Sequence, residues 1–417
     1  DAFGVSAYAG YGQASVRNAG DIEAVSFYGT ATGIEALGFG GVDVTNTGYI
    51  RAVGYTDATG VFAYSAGIAA IDNEGFVRAD AKYGEAIGLS SRGDGATVRN
   101  AYGSVVVAIG EYGATGIRAE AFGAEAFVQN DGLVVADSAY GVATGIEAIG
   151  AYGARVVNVG DVYAFGELGA YAIVASGGDG QAVVNNEGYA IAQTRYGYAA
   201  GIFAYGDTAL ATNAGTVFAY SQYGSATGMV VEGAGGAQGF NYGLVVAEAY
   251  GDAMGMRVES GDGNAVAFNY GLAYARSEYG NATGMRAYAS GYGDAYAFNS
   301  GDAVGIALNG VGIGISAEGF NAGVVNEGGA YGIGLQTGIG IQAIGYNSAS
   351  VTNSGLAYGY GGYYGFGIYA SAGAGGVQVT NDGQAVGLAQ QVGFGIYAIS
   401  AGDTSVVNSG TGLVVGG

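Results

Sequence analysis

The chain contains no His, Cys, Trp or Pro. Without His and Cys it lacks the commonest general base, the thiol nucleophile and the usual zinc ligands. Without Cys it has no disulfide, which a large repeat fold does not need. Positive charge is scarce, with 12 Lys and Arg against 34 Asp and Glu, a net charge of −22. Such an acidic chain is repelled by nucleic-acid phosphates and anionic lipid, so neither nucleic-acid binding nor membrane insertion is expected of it. No apolar run reaches the roughly 18 residues of a membrane helix. The chain opens at Asp1 rather than Met, as a processed product would.

Glycine is abundant instead, with 87 copies, and tyrosine follows with 35. Half of the residues are hydrophobic and only 11% are charged, the reverse of a disordered composition. The glycines are also periodic. The motif Asn-x-Gly recurs at Asn18, Asn46, Asn73, Asn130, Asn158, Asn186, Asn213, Asn241, Asn269, Asn299, Asn326, Asn353, Asn381 and Asn408. Asn100 fills the one gap, with Tyr102 in the glycine position. Every interval lies between 27 and 30 residues. Midway between anchors comes Gly followed by an aliphatic residue, as in Gly33-Ile34, Gly116-Ile117, Gly228-Met229 and Gly367-Ile368.

Within a unit the hydrophobic period is two. After Asn73, Val77, Ala79 and Ala81 alternate with Phe76, Arg78, Asp80 and Lys82. Alternation of this kind marks a strand with one buried face. A unit of about 28 residues holds two or three short strands joined at glycine-rich corners. One such coil cannot bury its inner face; stacked coils make a continuous core and satisfy the backbone through parallel ladders. The expected fold is all-β: one continuous parallel β-solenoid over 1–417 with about fifteen coils. At about 4.8 Å per stacked strand it would be about 70 Å long. By analogy with other long-coil solenoids its path is expected to be right-handed. Residues 1–290 form regular charged coils, and 291–417 form Gly/Tyr-rich coils without Lys or Arg.

The anchors are expected to stack as an asparagine ladder, each Asn at a tight corner where its tolerance of left-handed φ and its amide's bonds to neighbouring backbone are useful, with the stacked amides bonding one another along the axis. A second corner carries Tyr-Gly at Tyr28, Tyr83, Tyr112, Tyr140, Tyr196, Tyr223, Tyr250 and Tyr279, with a break at Leu168. Counted by twos from the Asn, most of these tyrosines fall in phase with the inward set. They read first as an aromatic stack lining the corner, and second as an exposed strip gripping carbohydrate or another rod. Phe76, Leu133, Leu244, Leu272 and Leu356 fall in an outward phase and predict an apolar stripe.

Acidic corners precede many anchors, at Asp94, Asp179, Asp207, Asp262, Asp294 and Asp403. Neighbouring coils could bring Asp179 and Asp207 together as weak calcium ligands, although each coil supplies only one acid. Arg92-Gly93-Asp94 spells an integrin-binding tripeptide, which carries little information in so glycine-rich a chain. No coil is expanded by more than two to three residues, so no cleft for a catalytic carboxylate pair is expected, and no catalytic residue or cofactor is assigned. All twelve basic residues lie at or before Arg286. The last 131 residues have few charges to oppose edge-to-edge pairing, which suggests end-to-end self-association.

The consensus is Asn-x-Gly-x-(Val/Ile)-x-Ala, then Tyr-Gly-x-Ala-x-Gly-(Ile/Met)-x-Ala, then Gly-Asp-x-Ala-x-Val-x-Asn, and 130–158 shows nearly all of it. It resembles the β-helical passenger domains of bacterial autotransporters and filamentous-haemagglutinin-like adhesins. The resemblance implies export across a Gram-negative outer membrane and an extracellular or cell-surface location. It carries over no catalytic residue. The expected function is a structural rod, surface adhesin or self-assembling filament subunit. Its partners would be further copies, end to end or laterally, or surface carbohydrate or matrix. The alternatives are a polysaccharide-binding or polysaccharide-cleaving β-helix and a calcium-stabilised surface-layer component.

Overall fold

The computed structural model describes all residues, Asp1–Gly417, as 41 β-strands without a helix. Two compact units divide the chain, Asp1–Asp207 and Thr208–Gly417. Seven ladder asparagines fall in the first and eight in the second, which gives fifteen turns. The expectation of an all-β parallel solenoid with turns of about 28 residues holds in each unit.

A turn carries three strands, except that the first two run on as one in Tyr198–Asn213, Ala226–Asn241, Val311–Asn326 and Thr337–Asn353. In the first unit, Ala31–Gly38, Gly41–Asn46 and Tyr49–Gly54 make one turn. Ala58–Ser65, Ile68–Asn73 and Phe76–Ala81 make the next. They pair in parallel, each residue with its counterpart one turn later: Ile34 with Val61, Asn46 with Asn73, Ala52 with Ala79. The second unit repeats the plan. Ala282–Ala289 pairs with Ala253–Ser260, Ala295–Asn299 with Ala265–Asn269, and Asp302–Ala307 with Leu272–Ser277. Three faces enclose the interior, and the backbone groups of inner turns are satisfied from both sides.

Columns of like residues fill the core. On the first face Ile34, Val61, Leu89, Ile117, Ile146, Ile173 and Ile202 stack in the first unit. Met229, Met256, Met285, Ile315, Ile341, Ile368 and Ile396 stack in the second. All but Ile396, in the last turn, are fully buried. Burying each such side chain is worth about 1.5–3 kcal/mol, so this column is a main source of stability.

The glycine ahead of this column explains a departure from strict alternation. Ala31–Gly38 has two consecutive inward residues, Gly33 and Ile34, so the phase changes there. A Cβ on Gly33 would meet the Ile50 side chain of the third face and the carbonyl oxygen of Gly60 in the next turn. Glycine lets the strand bend inward against its neighbours, which makes the midpoint motif a mark of the bend.

One corner argument is corrected. No residue other than glycine has a positive φ. The ladder asparagines end extended strands, so their left-handed tolerance is unused. What selects Asn is its amide, which donates and accepts at once.

Candidate functional site

The asparagine ladder runs through each unit without a break. In the first, Nδ2 of Asn18, Asn46, Asn73, Asn100, Asn130 and Asn158 donates to Oδ1 of the next Asn at 2.7–2.8 Å. From Asn213 to Asn408 the distances are 2.7–3.0 Å. The second amide hydrogen bonds the carbonyl of the motif glycine, as from Asn130 to Gly132 at 3.1 Å. The Asn-x-Gly spacing is therefore a hydrogen-bonding requirement. Asn100, which lacks that glycine, is served differently. The Ser104 hydroxyl donates to its Oδ1 at 2.6 Å, and Gly103 takes φ +80° to close the longer corner. Between the end members, Asn18 and the exposed Asn408, these groups are buried and mutually satisfied, which makes them a structural spine with no free valence for a ligand.

The tyrosine corner faces outward. Its eight tyrosines are exposed, from 39% at Tyr250 to 91% at Tyr28, against the inward phase obtained by counting. The reason is local. In Ser26-Phe27-Tyr28-Gly29 the glycine N–H donates to the serine Oγ at 3.0 Å. Ser138 with Gly141, Ser221 with Gly224 and Ser277 with Gly280 do the same at 2.8–3.0 Å. At these four the inward serine's hydroxyl holds a turn that re-aims the tyrosine, while Tyr83 and Tyr112 are exposed at the same corner after Ala81 and Gly110, which have no hydroxyl. Counting by twos does not survive that corner.

The exposed rings stack along the turns. Tyr28 lies 6.4 Å from Tyr55 and Tyr55 lies 4.8 Å from Tyr83, between ring centroids. Tyr112–Tyr140, Tyr223–Tyr250 and Tyr250–Tyr279 follow at 6.2, 6.2 and 4.5 Å. Tyr55 was missed because Thr56 and Asp57 follow it instead of glycine, one position off the motif.

Beside this column in the first unit lies an open groove of about 530 Å³. Tyr83, Tyr112, Tyr140 and Leu168 line it, together with Glu85, Thr115, Arg118 and Thr144. Arg118 binds Glu147 at 2.6 Å and Glu85 at 3.3 Å, and donates to the Thr115 hydroxyl at 3.3 Å. Burial opposes the Arg118 charge, and Glu147 and Glu85 more than offset it, so its guanidinium is held above the ordinary arginine value. Ring surfaces beside fixed polar groups suit a polyhydroxylated ligand. The groove offers no His or Cys to act as a nucleophile.

The other sequence candidates fall as follows. The apolar stripe is half-buried and interrupted. Tyr49, Phe76, Val105 and Leu133 align, then Asp161 takes the position. Leu244 and Leu272 align and give way to Asp302, while Leu356 stands between Gly329 and Gln384. Asp179 and Asp207 are exposed on adjacent turns, where the Asp207 N–H bonds the carbonyls of Gly178 and Gly180. No group of three or more His, Cys, Asp or Glu is placed to hold a metal ion. Arg92 of the tripeptide is engaged by Glu120 at 2.8 Å and packs on Phe122, so it is not a free recognition loop.

Comparison of the chain with protein-family models, with curated proteins and with solved structures found no match.

Proposed function

We propose that this protein is a structural rod of the cell exterior, adhesive or filament-forming, whose work is done by its surface and needs neither catalysis nor a cofactor. The observation that carries this reading is the asparagine spine, unbroken in each unit while the outward residues vary freely around it. A binding or assembly surface can change on such a frame without altering the fold. The extracellular, Gram-negative setting rests on the sequence resemblance alone.

Electron microscopy of the native material, imaged at its source, tests the reading. Long fibres with a regular axial repeat mark a filament subunit, with copies stacking end to end. Short rods anchored at a membrane mark an adhesin. Soluble, dispersed monomer at high concentration, with neither form in the microscope, would remove the structural reading.

The tyrosine groove favours a second reading, polysaccharide binding. Retarded migration of the protein in gels containing a polysaccharide, relieved by Tyr112→Ala, would place that activity in the groove. A calcium-stabilised role predicts a melting temperature that falls on chelation; an unchanged value counts against it.

A further inference from the structure

The geometry points to the tyrosine corner as a site of oxidative cross-linking, in which Tyr250 and Tyr279 couple through their ortho carbons to form a dityrosine staple between adjacent turns. Their centroids are 4.5 Å apart with a 35° tilt, closer than Tyr55–Tyr83 at 4.8 Å and Tyr223–Tyr250 at 6.2 Å on the same corner. Both rings are open to a diffusing oxidant, at 39% and 58% exposure. The Tyr279 N–H donates to the Tyr250 carbonyl at 2.8 Å, so the backbone holds the pair in register. The chain has no Cys, so no disulfide joins its turns, and a tyrosine link is a covalent connection its side chains do offer.

Tyr55 and Tyr83 are almost as close, at 4.8 Å. There the Lys82 ammonium lies 5.5 and 5.2 Å from the two ring centroids and opposes removal of an electron from either. No such cation flanks Tyr250–Tyr279, which is why that pair is assigned first.

The chemistry needs a one-electron oxidant, supplied by a haem peroxidase with hydrogen peroxide. Each phenol loses one electron and its hydroxyl proton to give a phenoxyl radical. The two radicals form one carbon–carbon bond, and the two ortho hydrogens move to the oxygens, restoring both phenols. In balance, two tyrosines and one hydrogen peroxide give one dityrosine and two waters. The inference holds whether the protein is a filament subunit or an anchored adhesin.

The test treats dilute, folded protein with peroxidase and hydrogen peroxide, then maps peptides by mass spectrometry. The expected product is a peptide pair joined at Tyr250 and Tyr279, lighter by two hydrogens than its separate halves. Its yield should not depend on protein concentration. Tyr279→Phe keeps the ring and its packing but should abolish this product. Tyr102→Phe, at an exposed tyrosine on another corner, should leave it unchanged. Absence of dityrosine in the folded protein overturns the inference. So does coupling mainly between chains, or a product insensitive to Tyr279→Phe.

Discussion

The outward column of the first face differs in chemistry between the first unit and the turns beyond Arg286 in the second. In the first unit it carries Arg118 and Glu147, an ion pair at 2.6 Å. Beyond Arg286 the corresponding column of the second unit carries Ser316 and Gln342, hydrogen-bonded at 3.1 Å, and then Tyr369 and Tyr397, stacked 5.6 Å apart at 12°. The interior changes in parallel. Third-face Ala52, Ala79, Ala108 and Ala136 become Gly305, Gly332, Gly359 and Gly387. First-face Ala58, Ala86, Ala114 and Ala143 become Gly312, Gly338, Gly365 and Gly393. The asparagine and aliphatic columns persist through both regions. The interior columns therefore change in blocks, each residue matching its counterpart one turn away, while the outward column varies from turn to turn, as from Phe62 to Ser90 to Arg118.

The largest expected effect falls on what the regions share. Asn130→Ala removes the donor to Asn158 and Gly132 and leaves the Asn100 amide without its acceptor. Orphaning several buried groups should cost about 3 kcal/mol. The loss should appear as a lower urea midpoint and faster amide hydrogen exchange concentrated in the neighbouring turns. Exchange unchanged around Asn130 would mean that the spine is dispensable.

Next come the columns that differ. A Cβ on Gly332 would collide with the carbonyl oxygen of Ile339, so Gly332→Ala should destabilise by about 1–3 kcal/mol through overpacking. The mirror change, Ala108→Gly, removes one buried methyl and loosens the backbone, at about 1 kcal/mol. Paired urea melts compare the two; equal costs would refute a narrower interior beyond Arg286.

Smaller effects belong to the surface charges. Arg51 reaches Glu23 at 2.7 Å, but both are substantially exposed, at 40% and 57%. Arg51→Gln should change stability by under about 1 kcal/mol, and salt should erase the difference. Glu232 gives the finest test. Burial, outweighing Arg257 and helped by Glu259, pushes its carboxyl up. The folded state then holds this proton more tightly than the unfolded chain. The stabilising contribution is present below the unfolded carboxylate value and fades as pH rises through the folded one. Glu232→Gln should therefore gain thermal stability relative to the parent on going from acid to neutral pH. A difference independent of pH would contradict the assignment.

Much of the frame was legible because its contacts lie one turn apart, so stacking leaves a period in the chain. Asn-x-Gly announced the ladder, and Gly-aliphatic announced the second column. The tyrosines were placed on the right corner but in the wrong phase, because the chain turns there and resets the alternation, at Tyr28, Tyr140, Tyr223 and Tyr279 through the hydroxyls of Ser26, Ser138, Ser221 and Ser277. The apolar stripe was overdrawn, since Asp161 and Asp302 enter its column only once the register is known. The groove beside Tyr112 was missed altogether. Its walls come from four successive turns, and no single repeat contains it.

By itself the sequence determined the all-β class, the turn of about 28 residues, the fifteen-fold count and the residues of the spine. These follow from period and from the few groups that can stack on copies of themselves, an amide and an aliphatic chain above all. Only the tertiary structure decided which way the tyrosines point, which ion pairs close between turns and where glycine is obligatory. Those outcomes depend on angles at the corners and on the spacing between faces. A bend at one glycine or a serine-held turn moves a side chain across the boundary between core and solvent while leaving the repeat unchanged.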